Sequence, residues 1–365
     1  MAIKNLGDNV RRHMKLQGLT IPELSSRIGM GTAAVSNLLN GKTEPKSTTL
    51  IKLAEALGVS FPELLADAPR LESLRFRTAK TLSGREKAER DQLRHDTALW
   101  LANYKALEES IKDESTYLLP ALNGVSPDLA AAKLREELGL DATSPVHDIA
   151  ALMEQSGIKL RIRPFGFKKT FGLSVGQADG GPAIIVNCEA GISIERQIFT
   201  IAHELGHLVL HKDSYVATRE EETDNEEDEA NAFAGCFLVP DEGLRAAWED
   251  LRGLHWIDAV LRVKKEYKVS CKTILYRLKD IYPALRERQL DRDFAIQYNE
   301  RFGHDLKDHY EPEALSSSDL VESRFLGHIR KALEAEAITM SRAAGMLDIG
   351  LDEMRKRAMD WRDGV

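Results

Sequence analysis

The stretch from Phe199 to His211 reads Phe-Thr-Ile-Ala-His-Glu-Leu-Gly-His-Leu-Val-Leu-His. The apolar residues of this stretch and of the position before it recur at helical spacing, which predicts a helix with one buried side. These residues are Ile198, Ile201, Ala202, Leu205, Leu208 and Val209. Residues four apart share a helix face, so His203 and His207 can present two imidazole nitrogens to one metal ion, with Glu204 beside its open side. The pattern favours a hydrolytic metal site over a buried helix with two structural histidines.

A catalytic zinc site needs a third protein ligand and keeps its fourth position for water. The run from Glu226 to Pro240 predicts a second helix downstream, with Ala230, Phe233, Ala234, Phe237 and Leu238 on its buried face. Helical phase places Glu227 on the buried side at the start of this helix. Glu226 and Glu229 remain rival ligands, because a fraying first turn can rotate by a residue.

Two linked motifs resemble the ImmA/IrrE family of bacterial and phage metallopeptidases. The first is the segment 196–207, and the second combines Glu227, Ala230, Asn231, Phe233, Ala234, Leu238 and Pro240. Three earlier segments look like strands of that family, namely 160–162, 171–175 and 183–187. The resemblance implies an α+β zincin-like peptidase domain.

The resemblance also implies roles for individual residues. His203, His207 and Glu227 would bind Zn²⁺, and Glu204 would act as the general base that activates water and returns the proton to the leaving amine. The oxyanion stabiliser is left open among His211, Tyr215 and His255. For His211 we expect a supporting role, since four protein ligands would close the metal site.

The first 66 residues have a different character. Their amphipathic segments predict a compact unit of five helices, over 10–16, 20–28, 32–39, 48–57 and 62–65. The segment 20–41 resembles the helix-turn-helix of phage-repressor-like (XRE) DNA-binding domains, whose second helix enters the major groove. The residues expected to face DNA are Thr32, Ala33, Ser36 and Asn37, and Asn37 could read an adenine edge.

Charge supports a nucleic-acid interface in this region. Residues 1–66 contain eight Lys and Arg and five Asp and Glu residues, a net charge of +3, whereas the whole chain has a net charge of −8. Local basicity is what contact with DNA phosphates requires. The alternative is that the same unit is a protein-interaction or dimerisation module.

Composition predicts a cytoplasmic protein of several domains. The chain has 365 residues and is 43% hydrophobic, enough for two or three domains with buried cores. Its three cysteines form no Cys-x-x-Cys pair, which indicates a reducing compartment and argues against a cysteine-built metal site. The chain shows no export signal and no apolar run long enough to cross a membrane, so no membrane partner is expected.

The predicted fold is mainly α with a small β-sheet. We expect the DNA-binding domain over residues 1–66, a helical linker over 67–119 with a long helix from about Gly84, the peptidase domain over 120–290, and a helical carboxy-terminal region over 291–365. The segment 338–354 has a helix-turn-helix rhythm. Because its acidic residues would repel phosphate, we expect a packing or dimerisation module there rather than a second DNA contact.

These predictions combine into a zinc endopeptidase fused to a double-stranded-DNA-binding domain. Family resemblance implies cleavage of a helix-turn-helix repressor, which relieves transcriptional repression in a stress, mobile-element or phage-defence response. It also suggests activation by nucleic acid or a metabolite, and a homodimer. One alternative is a transcription regulator whose peptidase fold is a sensor without turnover. The other is an antitoxin.

Overall fold

The computed structural model describes residues 5–65, 69–76, 83–114, 116–117, 119–215, 223–306 and 311–363. Over these residues the chain is mainly helical with a small four-stranded sheet, which confirms the predicted fold class. The chain forms two compact units. Unit 1 comprises Met1–Leu71, Lys80–Glu114 and Leu326–Val365, and unit 2 comprises Glu72–Ala79 and Ser115–Phe325.

The elements are as follows in chain order. The first helices are α1 (Leu6–Gln17), α2 (Ile21–Ile28), α3 (Thr32–Leu39), α4 (Ser47–Leu57), α5 (Phe61–Leu65) and α6 (Gly84–Ile111). They are followed by α7 (Pro127–Glu137), α8 (Ile149–Gln155), α9 (Ile194–Leu210), α10 (Asp224–Leu238), α11 (Asp241–Asp250), α12 (Trp256–Tyr267), α13 (Cys271–Ile281) and α14 (Leu290–Phe302). The last are α15 (Arg324–Glu334), α16 (Met340–Leu347) and α17 (Leu351–Asp363). The strands are β1 (Leu74–Phe76), β2 (Lys159–Arg163), β3 (Gly172–Val175) and β4 (Ala183–Asn187).

Unit 1 begins with the five helices that the sequence predicts. Helix α2 starts with a capping box, in which the Thr20 side chain accepts a bond from the Glu23 backbone and the Glu23 carboxylate accepts one from the Thr20 backbone. It ends at Gly29, whose φ of 66° lies in the left-handed region and turns the chain toward α3. The helices enclose a shared core of Leu6, Val10, Met14, Leu24, Ile28, Val35, Leu38, Leu39, Leu50, Leu53, Leu57 and Leu64.

Helix α6 packs against α1 inside unit 1. Its start is capped by Ser83 and Glu86, and its buried side includes Trp100 and Tyr104. Arg12 of α1 donates to Gln92 of α6 over 2.7 Å. The long helix expected from Gly84 is therefore present, and it forms part of the core of unit 1.

The limits of the two units do not coincide with the predicted domain boundaries at residues 66, 119 and 290. Those boundaries remain a prediction. Strand β1 lies within the span expected as a helical linker, yet it pairs with β3 in the sheet of unit 2. Its partner is about a hundred residues downstream, so no local pattern reveals the pairing. Residues 77–82 of the same span lie outside the described residues.

Unit 2 is built on a sheet with the order β1-β3-β4-β2. β2 is parallel to β4, whereas β3 is antiparallel to both β4 and β1. Helices α9 and α10 pack against each other, and α9 also packs against β3 and β4. The sheet therefore supports the helix that bears the two predicted histidine ligands.

A buried ion pair fixes the start of α9. Lys264 of α12 is 1% exposed, and its Nζ lies 3.1 Å from Glu195 Oε1 and 3.1 Å from Glu311 Oε1. Nζ also donates to the backbone oxygen of Pro312 over 2.6 Å.

Every helix within the described ranges is too short or too polar to span a lipid bilayer.

Candidate metal centre

Helix α9 brings the predicted site together because α10 can approach it closely. Ser193 caps the start of α9, and its hydroxyl accepts from the Arg196 backbone over 3.2 Å. At Gly206 a Cβ atom would lie 2.9 Å from the Phe233 ring and 3.3 Å from Ala230 Cα. A side chain at this position would force Phe233 to shift, so glycine permits the close crossing of α9 and α10.

His203, His207 and Glu227 converge at one point. The two Nε2 atoms lie 3.1 Å apart, and each lies 3.8 Å from one Glu227 carboxylate oxygen. The histidines are buried and Glu227 is half-buried. Nitrogen and oxygen ligands of tetrahedral zinc lie at about 2.0–2.1 Å from the ion, which separates them by roughly 3.3–3.4 Å. The observed spacing and the donor set of two imidazoles and a carboxylate both fit such an ion.

The rival carboxylates have other partners. Both oxygens of Glu226 contact the guanidinium of Arg75, at 3.4 and 3.0 Å. Burial alone would raise the pKa of the Glu226 carboxyl, but hydrogen bonds, above all those from Arg75, outweigh burial and hold the pKa at about 2. Glu229 Oε2 lies 2.8 Å from His211 Nε2. Of the three candidates, Glu227 is therefore the one whose carboxylate faces His203 and His207.

The outer ring nitrogens of the two histidines have partners of their own. His203 Nδ1 lies 3.0 Å from Asn231 Oδ1, which can only accept, so the ring proton is assigned to Nδ1. His207 Nδ1 lies 3.0 Å from His211 Nδ1. If His211 carries its proton on Nε2 for Glu229, its Nδ1 accepts from His207. In this arrangement both ligand histidines keep the lone pair of Nε2 for the metal.

Glu204 lies next to the site and is 1% exposed. Ser174 of β3 donates to Glu204 Oε2 over 2.5 Å, and the Ser174 hydroxyl lies 2.8 Å from the hydroxyl of Tyr215. No sequence pattern assigns a role to Ser174, although it falls in a segment expected to be a strand. Asn231 belongs to the second motif, which gives it no role, whereas the structure places it against His203.

The three candidate oxyanion stabilisers are placed differently. Tyr215 reaches the site through Ser174, and His211 contacts His207. His255 is exposed at the start of α12, where its Nδ1 accepts from the Ile257 backbone over 3.3 Å. The structure therefore brings Tyr215 and His211 to the site, and gives His255 a capping role.

The predicted DNA-facing residues lie on α3. Thr32, Ala33 and Asn37 are exposed and Ser36 is half-buried, whereas Val35 and Leu38 of the same helix are buried in the core. The Ser36 hydroxyl accepts from Asn40 Nδ2 over 3.5 Å. The helix thus presents a small polar face beyond the core.

Comparison with known proteins assigns both regions to described families. Residues 153–279 match the family model described as the IrrE N-terminal-like domain (Peptidase_M78), and residues 10–64 match the model described as Helix-turn-helix. The uncharacterized HTH-type transcriptional regulator y4dJ of Sinorhizobium fredii is 40% identical over 62 residues, which are 17% of this chain and 80% of that protein.

A solved structure, a Mycobacterium tuberculosis transcriptional regulator, is also similar. It is 23% identical, the match covers 49% of this chain and 51% of that one, and the TM-score is 0.30. This chain thus spans about half of the length of that protein.

Proposed function

This chain belongs to the family that joins a helix-turn-helix domain to an IrrE N-terminal-like, metallopeptidase-type domain, and on that premise we propose that it is a zinc-dependent endopeptidase. The observation that carries the proposal is the convergence of His203, His207 and Glu227. Glu204 lies on the same helix as the two histidines, where a general base for hydrolysis is needed.

The chemistry follows from the positions of these groups. When bound, a zinc ion supplies Lewis acidity, which lowers the pKa of a coordinated water and polarises a carbonyl group. His203 and His207 offer neutral Nε2 donors, oriented by the Asn231 amide and the His211 ring. Glu204 accepts a proton from the attacking water on its carboxylate and donates it to the leaving amine nitrogen. The hydrogen bond from Ser174 holds this carboxylate in place.

The proposed substrate is a protein, specifically a helix-turn-helix repressor whose cleavage relieves transcriptional repression in a stress, mobile-element or phage-defence response. The proposed DNA contact is made by Thr32, Ala33, Ser36 and Asn37 of α3. Activation by nucleic acid or a metabolite, and assembly as a homodimer, belong to the same proposal and rest on family resemblance.

One alternative has an observation in its favour. The similarity to y4dJ covers the helix-turn-helix region, and that protein is described as a transcriptional regulator. In this alternative the chain regulates transcription directly, and the metal centre senses a ligand without turnover. The two functions differ in their dependence on Glu204.

The test compares two substitutions at the site. We expect the purified protein to contain one zinc ion and to cleave a helix-turn-helix repressor encoded beside it. His203→Ala should lose both zinc and cleavage. Glu204→Gln should keep zinc and lose at least about 100-fold in rate, because only the base is removed.

His255→Ala is the matched control, since it removes an exposed histidine outside the site and should change neither property. Cleavage by Glu204→Gln at the parent rate would refute the assigned base. If Glu204→Gln still regulates a target promoter normally, and neither the parent nor any variant cleaves the repressor, the alternative is favoured.

A further inference from the structure

Strand β1 covers the open edge of the sheet in unit 2. β3 pairs with β4 on one side and with β1 on the other, in the register Leu74 with Val175, Arg75 with Ser174 and Phe76 with Leu173. Without β1, the backbone groups on this side of β3 would form a free sheet edge. Free edges are where extended peptides add as a further strand.

The covered edge runs beside the proposed catalytic base. At Gly172 of β3 a Cβ atom would lie 2.5 Å from the Thr200 methyl group and 3.1 Å from Glu204 Oε1. Two residues on, the Ser174 hydroxyl donates to Glu204. A peptide paired with β3 would therefore pass the metal centre in an extended conformation.

Arg75 fills the space that such a peptide would need. Residues directly opposite in an antiparallel pair share a face of the sheet, so the Arg75 side chain lies on the same face as Ser174. Arg75 is fully buried. Its guanidinium contacts Glu226 at 3.0 Å and lies 5.6 Å from the centre of the Tyr215 ring. β1 thus contributes both a strand to the sheet and a side chain that lies beside Glu226 and Tyr215.

β1 is anchored at its amino-terminal end. Asp179 Oδ2 accepts from the backbone of Glu72 over 2.7 Å, from the backbone of Ser73 over 2.6 Å and from the Ser73 hydroxyl over 2.8 Å. In the sequence, the segment Glu72–Ala79 is flanked on both sides by segments of unit 1. The strand is therefore connected in the sequence to unit 1 at both ends, although it completes the sheet of unit 2.

We propose that β1 is an internal occupant of the substrate-binding edge, so that a substrate segment docks as an extended strand on β3 only when β1 withdraws. This inference rests on the proposed function and adds its mode of substrate binding and its regulation. The incoming strand replaces the backbone hydrogen bonds that β1 gives up. Because Glu226 also accepts from Ser214 and from Thr223, it keeps partners after Arg75 leaves.

A reversible covalent lock tests the proposal. The bond from Gly176 N to Ser73 O makes Leu74 and Val175 a non-hydrogen-bonded pair, the closest kind in an antiparallel sheet and one that a disulfide can bridge. In Leu74→Cys with Val175→Cys, oxidation should abolish repressor cleavage and a thiol reductant should restore it. The reduced form of the same variant controls for folding, and each single substitution controls for oxidation of Cys188, Cys236 and Cys271.

A binding measurement separates this inference from the proposed activity. The probe is a dye-labelled peptide copying residues 74–79, which lacks the Glu72 and Ser73 groups that Asp179 holds in β1, and it is added to proteins that all carry Glu204→Gln. Asp179→Ala should bind it about tenfold more tightly than the parent, because three bonds that hold β1 are lost. The oxidised double-cysteine form should not bind it.

Equal peptide binding by the oxidised and reduced forms, or no binding by Asp179→Ala, would overturn the proposal. Cleavage that the lock leaves unchanged would also overturn it, while leaving the peptidase assignment intact. If peptide binding depends on the disulfide but no form of the protein cleaves a repressor, the strand exchange is supported and the assignment as an enzyme is refuted.

Discussion

His211 Nε2 lies 2.8 Å from Glu229 Oε2, which extends the metal centre by one further carboxylate. The other nitrogen of the same ring lies 3.0 Å from His207 Nδ1. Outer partners of this kind orient a ligand imidazole and make it more basic. Glu229, which the sequence leaves as a rival ligand, is thus linked to the proposed ion only through His211 and His207.

Replacement of Glu229 should weaken metal binding. Glu229→Ala removes the acceptor that orients His211, so we expect the zinc affinity to fall by up to about tenfold, the lower end of the effect of groups bonded directly to a ligand. Competition with a chromophoric chelator measures this change. Asp228→Ala is the matched control, because it removes an exposed carboxylate from the adjacent position of α10. Equal affinity in the two variants would show that the His211–Glu229 contact does not support the metal.

Replacement of Asn37 should weaken specific DNA binding. A side-chain amide that reads an adenine edge contributes about 1–3 kcal/mol, so Asn37→Ala should lose roughly five- to 150-fold in affinity for a selected operator. Fluorescence anisotropy at fixed salt measures the loss. Glu55→Ala, an exposed change on α4, should bind at least as well as the parent. A loss of the same size on random DNA would show that Asn37 does not read sequence.

The buried ion pair of unit 2 predicts a large stability effect. Lys264→Met leaves Glu195 and Glu311 without their cation, and Glu195 is fully buried. Breaking a buried pair in this way costs about 3–5 kcal/mol in the free energy of unfolding. Urea denaturation monitored on unit 2 measures it. Lys265→Met removes an exposed lysine from the next position and should change stability little; similar losses in both variants would contradict the role of Lys264.

Unit 1 should lose stability in mild acid. Burial, and then the charge of Arg12, lower the pKa of His13 from 6.5 to about 4. The carboxyl group of Glu63, on α5, lies 3.5 Å from His13 Nε2, and burial raises the pKa of that carboxyl. Because the neutral imidazole is favoured in the folded state, its contribution is complete above the unfolded pKa of 6.5 and is lost as the pH falls toward 4.

His13→Gln removes this titration. The difference in free energy of unfolding between about pH 7 and pH 5 should therefore be smaller in His13→Gln than in the parent. His147→Gln, at an exposed position, is the control and should keep the parent slope. Identical slopes in all three proteins would exclude His13 as the source.

Much of the fold could be predicted because its signals are local. The helices of the first 65 residues follow from apolar spacing, and α6 begins at the predicted Gly84. The phase of α10 also follows from its own residues, since the five residues predicted to form its buried face are all buried in the structure. Strand β1 lies in a span predicted to be a helical linker, because a three-residue strand is stabilised by its pairing with a strand elsewhere in the chain and has no local pattern of its own.

The helices, the His-Glu-x-x-His face and a short set of acidic residues that could complete a metal site all follow from local sequence, because helical periodicity is a property of neighbouring residues. Which carboxylate faces the histidines depends instead on contacts between elements. Arg75, distant in the sequence, pairs with Glu226, His211 pairs with Glu229, and the packing of α10 on α9 leaves Glu227 facing His203 and His207. A carboxylate can be buried only beside a partner that compensates for its lost hydration. Which partner each carboxylate meets depends on the packing of elements that are distant in the sequence.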